Sequence, residues 1–199
     1  MLRLVKKIGG ITSTNLYCVG NNGSIYYVSD NSWVKLESGT NYTIYDIWGY
    51  INPITQNEEM LCAATDYYEI NNSQLLRITD VIKVNSINLN TERFAASVWT
   101  KKGFPIYVCG DGIFTNKSGT WREVNIGVNY FTNDVRGNGL NDLFIIGDFG
   151  LIAHFNGLDW RVYADVFNAG YKSLSVNDDM IAAVGQRSGN AIVTIGRRN

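Results

Sequence analysis

The sequence predicts an all-β fold, a five-bladed β-propeller whose blades are four-stranded antiparallel sheets. Two observations support this prediction. Short runs rich in Val, Ile, Phe and Tyr alternate with clusters of Gly, Asn and Asp, which is the pattern of strands joined by tight turns. The pattern then recurs about every 40 residues. Such recurrence is typical of propellers, because one meander cannot bury its apolar face alone.

The repeat is clearest in residues 131–163, where four runs with strand character, TNDVRG, DLFIIGD, LIAHF and WRVY, are separated by turn clusters. Two markers follow it along the chain. The fourth run opens with Trp33, Trp121 and Trp160, and Val81 takes the corresponding place in the second unit. The second run ends at Gly20, Ala64, Gly110, Gly147 and Gly185, in steps of 44, 46, 37 and 38 residues. These markers predict five units.

The blades follow in chain order within one domain, residues 1–199. We expect the first four at about 9–38, 39–86, 87–127 and 128–166, with blade two lengthened by YINPITQNEE and DYYEINNSQ. Blade five, 167–199, lacks an outer strand, and LRLVKKI at the start of the chain reads like the outer-strand run WREVNI. We therefore predict that residues 1–8 complete blade five and close the ring, because an open blade would expose an unpaired strand edge.

The composition of the chain argues against several classes of function. The chain is 45% hydrophobic and 18% charged with a net charge of −1, and without a basic stripe it gives no support to nucleic-acid binding. No run approaches the 18 apolar residues of a membrane span. The single histidine, His154, excludes a His-based metal cluster. We predict no metal or cofactor, a monomer, and buried thiols rather than a disulfide at Cys18, Cys62 and Cys109.

The turn after each second strand carries a polar residue, which local hydrogen bonding to the turn backbone explains. These turns also share one face with the loops that lead into the innermost strands. Aromatic rings beside carboxylates and amides suit a sugar or a peptide, because they combine a flat apolar platform with directional hydrogen bonds. The candidate ligand-binding residues on this face are Asp66, Tyr67, Asp111, Tyr130, Asp148, Phe149, Tyr171 and Arg187.

The stretch DV-x-G…NDLFIIGDFGLIAHFNGLDW resembles the repeats of bacterial extracytoplasmic propellers and of photosystem assembly-factor propellers, which are similar to Asp-box repeats. Gly157 stands three residues before Trp160, as in an Asp box, but Phe155 and Ala153 occupy the Asp and Ser places. The resemblance implies a propeller with the first run innermost and the Trp strand outermost. It also implies an extracytoplasmic or secreted location, and it implies no sialidase activity.

Three function hypotheses follow. The first is a non-catalytic binding module that recognises a protein partner or a glycan through one face. The second is a glycoside-processing enzyme with acidic residues at the channel mouth, since Asp111 and Asp148 occupy equivalent turns of adjacent blades. Turn formation accounts for both, and no residue is expected to break the repeat symmetry, so we predict no catalytic residue. The third is a purely structural part of a larger extracytoplasmic assembly.

Overall fold

The computed structural model describes residues 4–29, 32–66, 68–69, 72–89, 91–117, 119–163 and 169–197. Within these ranges the chain forms nineteen strands arranged in five antiparallel sheets. A short 3-10 turn at Asp148–Gly150 is the one helical segment of the described part. No helix there is long and apolar enough to cross a membrane. The predicted five-bladed β-propeller is confirmed.

The first two blades each contain four strands. Blade one contains β1 (Val5–Gly10), β2 (Leu16–Gly20), β3 (Ile25–Ser29) and β4 (Ser32–Leu36). Blade two contains β5 (Thr43–Ile51), β6 (Glu58–Thr65), β7 (Ser73–Thr79) and β8 (Lys83–Ile87).

Blade three contains β9 (Ala95–Trp99), β10 (Ile106–Gly110), β11 (Gly112–Asn116) and β12 (Trp121–Glu123). Blade four contains β13 (Thr132–Gly139), β14 (Asp142–Gly147), β15 (Ile152–Phe155) and β16 (Trp160–Val162). Blade five contains β17 (Gly170–Val176), β18 (Met180–Arg187) and β19 (Asn190–Arg197).

In every blade the strands pair in sequence order. The first strand lies innermost, because β1, β5, β9, β13 and β17 pack side by side in succession. The strand order that the resemblance implied is therefore correct. One marker of the second unit is wrong, however: Val84 pairs with Ile78 as Trp160 pairs with Phe155, so Val84 rather than Val81 occupies the tryptophan position.

The glycine that ends the second strand is explained by a close approach of two backbones. A Cβ atom on Gly147 would lie 2.2 Å from the carbonyl oxygen of Phe131, at the start of the innermost strand. A Cβ atom added to Gly20, Gly110 or Gly185 would lie 2.2, 2.0 or 2.2 Å from the equivalent carbonyl oxygen. A side chain does not fit at these distances, so in blades one, three, four and five the second marker records where the blade folds back on itself. Blade two has Ala64 at this place and departs from the pattern.

Four hydrophobic clusters join consecutive blades. Between blades three and four, for example, Trp99 and Tyr107 pack against Leu143 and Phe155. We call the surface that a blade turns toward the preceding blade its trailing face, and the opposite surface its leading face. Among the described residues no cluster joins the leading face of blade five to the trailing face of blade one.

The predicted closure by the N-terminal strand is wrong. Residues 5–10 form β1, the innermost strand of blade one, and pair with β2, so blade one begins before residue 9. Blade five has three strands in the described part of the chain. The physical reason is proximity, because a hairpin to the neighbouring strand closes a much shorter loop than pairing with a strand about 190 residues away.

Apolar side chains at the two ends of the row of blades are consequently exposed. Ile8 in blade one is 60% exposed, whereas Val135, at the same place in blade four, is buried. Val193 in blade five is 63% exposed, whereas its counterpart Ile152 is 4% exposed. A neighbouring blade covers Val135 and Ile152, whereas no described blade covers Ile8 or Val193.

Candidate functional site

The five innermost strands enclose a polar cavity on the propeller axis. Each strand contributes two consecutive residues near its start, and the cavity between them measures about 320 Å³. The lining residues are Lys6, Lys7, Tyr45, Asp46, Ala96, Ser97, Asn133, Asp134, Lys172 and Ser173. The lining residues occupy equivalent positions in the five blades, so the repeat brings the same positions of every blade together around the axis.

A buried arginine contacts three of the residues that line this cavity. Arg136 donates two hydrogen bonds to the carboxylate of Asp46, at 2.8 and 3.0 Å, and lies 2.9 Å from Asp134 Oδ1. The hydroxyl of Ser97 lies 2.6 Å from Asp46 and 2.9 Å from Asp134. Two carboxylates and one guanidinium group, from blades two and four, thus meet around a hydroxyl of blade three.

Blades one and five, at the two ends of the row of blades, also contribute to this network. Lys7 Nζ of blade one lies 3.9 Å from Asp46 Oδ1, and the backbone N–H of Leu174 in blade five donates to Asp134 Oδ2 at 2.9 Å. Every blade therefore contributes a polar group to one network. We call this network the hub, and it consists of Lys7, Asp46, Ser97, Asp134, Arg136 and the backbone N–H of Leu174. The buried charges of the hub are all hydrogen-bonded, as burial requires.

The surroundings of the two carboxyl groups shift their pKa values in opposite directions. Burial raises the pKa of Asp46, but the charge and hydrogen bonds of Arg136 outweigh it and hold that pKa below its usual value. Burial raises the pKa of Asp134, which Arg136 only partly offsets and the neighbouring Asp46 reinforces. Burial lowers the pKa of Arg136, yet the two carboxylates raise it overall. The guanidinium group therefore stays charged, and Asp46 is its principal counter-ion.

Cationic groups surround the mouth of the cavity. Lys172 Nζ lies 2.9 Å from Asp148 Oδ1, which also accepts a hydrogen bond of 3.0 Å from Asn133. Lys6 Nζ lies 5.8 Å from the ring centre of Tyr45. With Lys7 and Arg136, the cavity and its mouth hold four cationic side chains against the three carboxyl groups of Asp46, Asp134 and Asp148. The local balance is positive.

Aromatic rings border the cavity at this end of the blades. Tyr45 and Phe94 lie 4.9 Å apart between ring centres, and Phe94 and Phe131 lie 5.5 Å apart. Next to Phe131 and Asp148, the rings of Tyr130 and Phe149 lie 5.1 Å apart, and the Phe149 side chain is 65% exposed. We call these five residues the rim. The rim offers flat apolar surface directly beside charged groups.

The predicted site residues are partly brought together. Tyr130, Asp148 and Phe149 lie at the rim. Asp111 and Tyr130 line a separate depression of about 660 Å³, where Arg93 Nη1 and Glu123 Oε1 form an ion pair of 2.7 Å.

Of the other four predicted residues, none of those that the structure describes lies at the rim. Asp66 accepts hydrogen bonds from the backbone N–H groups of Tyr68 and Glu69, which is the turn-forming role. Arg187 is exposed at the end of β18, and Tyr67 lies outside the described residues. The prediction that Tyr171 faces a ligand is wrong, because its ring is buried between blades four and five and its hydroxyl lies 2.5 Å from Thr194 Oγ1.

The hub was not predicted from the sequence. Arg136 occupies the position of Trp48 and Trp99 in the preceding blades, and its guanidinium group lies 5.0 Å from the Trp48 ring centre. The expectation that no residue breaks the repeat symmetry is therefore wrong. A charged residue where two other units carry tryptophan was the available signal. Among the described residues, no group of three or more His, Cys, Asp or Glu is placed to hold a metal ion.

No protein-family model matches the chain, and neither does any curated protein. Among solved structures, the chain is similar to YCF48 bound to a D1 peptide, with a TM-score of 0.70 and 14% identity over 97% of the chain. It is similar to the WD40 β-propeller domain of Doa1 (TM-score 0.67, 11% identity, 96% of this chain and 68% of that one).

A third similar structure is the Niastella koreensis GH74 enzyme, with a TM-score of 0.73 and 13% identity over 98% of the chain. The chain spans 64% of the YCF48 chain and 36% of the GH74 chain. At these identities the likeness concerns the fold alone. By fold, the chain is a β-propeller that resembles photosystem assembly-factor propellers.

Proposed function

We propose that the chain is a non-catalytic binding module that holds an extended segment of a protein partner across the rim. The observation that carries the proposal is the continuous row of ring contacts from Tyr45 through Phe94 to Phe131, directly above a cavity with more cationic than acidic groups. A peptide with apolar side chains and an acidic group satisfies both features, because the rings cover the former and the lysines attract the latter.

Two further facts support a peptide ligand. All five blades line the cavity, and the row of ring contacts spans blades two, three and four, which suits an extended ligand better than a small molecule that needs an enclosed pocket. The similar YCF48 structure holds a D1 peptide. No catalytic role is assigned to the carboxylates, since Asp148 is engaged by Lys172 and Asn133, and Asp46 is engaged by Arg136.

The test uses an array of random peptides and a glycan array, probed with the wild-type protein. We expect the bound peptides to be enriched in acidic and aromatic or aliphatic residues. Phe149→Ala and Lys6→Glu should each weaken binding of the best peptide at least tenfold, measured by fluorescence anisotropy.

Phe104→Ala is the matched control. Phe104 is also an exposed phenylalanine, at 47%, but it follows β9 at the opposite end of the blades. It should leave the affinity unchanged. Equal binding by all three variants would overturn the proposal, and so would retention on the glycan array with no peptide bound.

A further inference from the structure

Blade five differs from the other four blades at its outer edge. Its last described strand, β19, pairs with β18 on one side only, and no described strand pairs with the other side. Blades one to four all cover this position with a fourth strand. The outer edge of β19 therefore presents a row of backbone N–H and C=O groups without strand partners among the described residues.

A cavity lies where that fourth strand would pack. It measures about 350 Å³ and separates blades four and five. Its lining is mostly apolar, from the leading face of blade four and the trailing face of blade five. The lining residues that define its shape are Phe144, Ile152, His154, Tyr163, Ile181 and Gly196.

The repeat shows what fills the same volume elsewhere. In blade four, Phe155 pairs with Leu143 in the neighbouring strand and with Trp160 in the fourth strand. In blade five the equivalent of Phe155 is Gly196, which pairs with Ile181. The large side chain is thus missing, and so is the tryptophan. Both losses fall at one point, and the cavity is the space they leave.

Blade four shows how a fourth strand uses this space. The ring of Trp160 lies 5.2 Å from that of Phe155, and Trp160 and Val162 pack into the cluster between blades three and four. Alternate residues of the outer strand therefore face the preceding blade, as strand geometry dictates. A glycine in an edge strand also provides room for an aromatic ring from the strand opposite it.

We propose that blade five is completed by an extended segment of a partner protein that pairs antiparallel with β19. An aromatic side chain of this segment, directly opposite Gly196, fills the cavity against Ile181 and His154. The main-chain hydrogen bonds supply part of the affinity and the cavity selects the aromatic residue. The partner segment has the pattern of the fourth strand of blade four, where the aromatic Trp160 stands two positions before the aliphatic Val162. This site is separate from the rim.

The histidine in the cavity wall fits this occupant. His154 Nε2 lies 2.9 Å from Asp142 Oδ1, and the imidazole stacks on Phe144 with the ring centres 4.2 Å apart. The imidazole therefore presents a ring face held in place by two neighbours. Tyr163 adds a second ring at the cavity wall. An incoming aromatic side chain meets ring surfaces of blade four on one side and aliphatic surface of blade five on the other.

The probe is a synthetic peptide with the sequence of residues 156–163, NGLDWRVY, and its tryptophan-to-alanine version is the control peptide. We expect the first to bind the whole protein in isothermal titration and the second to bind at least tenfold more weakly. Ile181→Trp places a large ring in the cavity from its blade-five wall and should abolish binding. Val193→Thr should not change it, because Val193 lies on β19 but on the opposite face.

Amide hydrogen exchange provides a second measurement that does not depend on the variants. The peptide should slow exchange at alternate residues of β19 and should leave the rim unaffected. Protection elsewhere, equal affinity for both peptides, wild-type affinity of folded Ile181→Trp, or no binding at millimolar peptide would each overturn the proposal. Phe149→Ala at the rim should bind this peptide normally, which keeps the outcome independent of the proposed function.

Discussion

The guanidinium group of Arg136 in blade four binds the carboxylate of Asp46 in blade two through hydrogen bonds of 2.8 and 3.0 Å. The two residues are 90 positions apart in the chain, and blade three lies between their blades. Both side chains are at most 7% exposed. The pair therefore connects non-adjacent blades inside the protein, where a charge that loses its partner is strongly unfavourable.

Arg136→Met should lower the free energy of unfolding by about 3–5 kcal/mol, because it removes the ion pair of both buried carboxyl groups and leaves only Lys7, 3.9 Å from Asp46. The measurement is urea denaturation followed by tryptophan fluorescence at neutral pH.

The exposed ion pair between Arg93 and Glu123 provides the comparison, since these side chains are 44% and 51% exposed. Glu123→Gln should change stability by less than about 1 kcal/mol. Similar losses in Arg136→Met and Glu123→Gln would show that the hub stabilises the fold no more than a surface pair does.

The raised pKa of Asp134 predicts a pH dependence with a definite sign. Its folded-state pKa lies above the unfolded value of about 3.9. Between those two values the folded protein binds more protons than the unfolded chain, so stability falls as pH rises through that window. Asp46 has the opposite shift, and its contribution is lost only as pH falls below about 3.9 toward its folded pKa.

Asp134→Asn should remove the first of these effects. The stability of the wild-type protein relative to Asp134→Asn should therefore decrease as pH rises from about 4 toward neutrality. Urea midpoints of both proteins measured across this range provide the test. Two parallel curves would mean that Asp134 titrates normally in the folded state.

The fold could be read from the sequence because its signals are local and repeated. Gly147 and its equivalents mark a close backbone contact in four of the five units, and the periodic strands identify five blades. The ends of the chain lack such redundancy. Residues 5–10 carry the hydrophobic pattern of an inner strand as well as an outer one, and only the short hairpin to β2 decides between them.

The candidate site was only partly predictable for the same reason. Asp148 and Phe149 lie in a turn that the repeat defines, so their placement at the rim follows from strand order. The hub depends on contacts between blades, such as Arg136 with Asp46 across blade three. Tyr171 was misplaced because aromatic residues near a turn read alike whether the ring points to solvent or, as here, into the interface of two blades.

Gly147→Ala should destabilise the protein by about 1–3 kcal/mol, the typical cost of overpacking against a rigid neighbour. Its Cβ would lie 2.2 Å from the Phe131 carbonyl oxygen, and backbone atoms of paired strands cannot move apart without breaking the sheet. Thermal unfolding provides the measurement. Gly119→Ala is the control for backbone conformation, since Gly119 has a positive φ but nothing within 4 Å of its Cβ. A larger loss in the control would refute the close-contact explanation.

Trp33 and Trp160 occupy the same place in different blades and should respond differently to truncation. Trp33 is 60% exposed on the trailing face of blade one, so Trp33→Ala should cost within about 1 kcal/mol. Trp160 packs on Phe155 between blades three and four, so Trp160→Ala should cost about 2 kcal/mol or more. Denaturant unfolding of the two variants measures both. Equal losses would indicate that a neighbouring surface also covers Trp33 in solution.

Cys18, Cys62 and Cys109 occupy the second strands of the first three blades, and their thiols should react in a fixed order. Burial raises the pKa of all three, so little reactive thiolate is present in the folded state. Cys62 and Cys109 belong to clusters between two blades. Cys18 lies on the trailing face of blade one, next to the exposed Ile8.

Local opening of the uncovered face should therefore expose Cys18 first, because fewer packed contacts must break there. We expect iodoacetamide to label Cys18 in native buffer at a rate well above that of the other two thiols, which should react only as the protein unfolds. Mass spectrometry of peptides from a labelling time course gives the three rates, and Cys18→Ser should remove the fast fraction. If Cys62 were labelled as fast as Cys18, the interface between blades one and two would open as readily as the free end of the row. The description of that interface as a packed core would then be wrong.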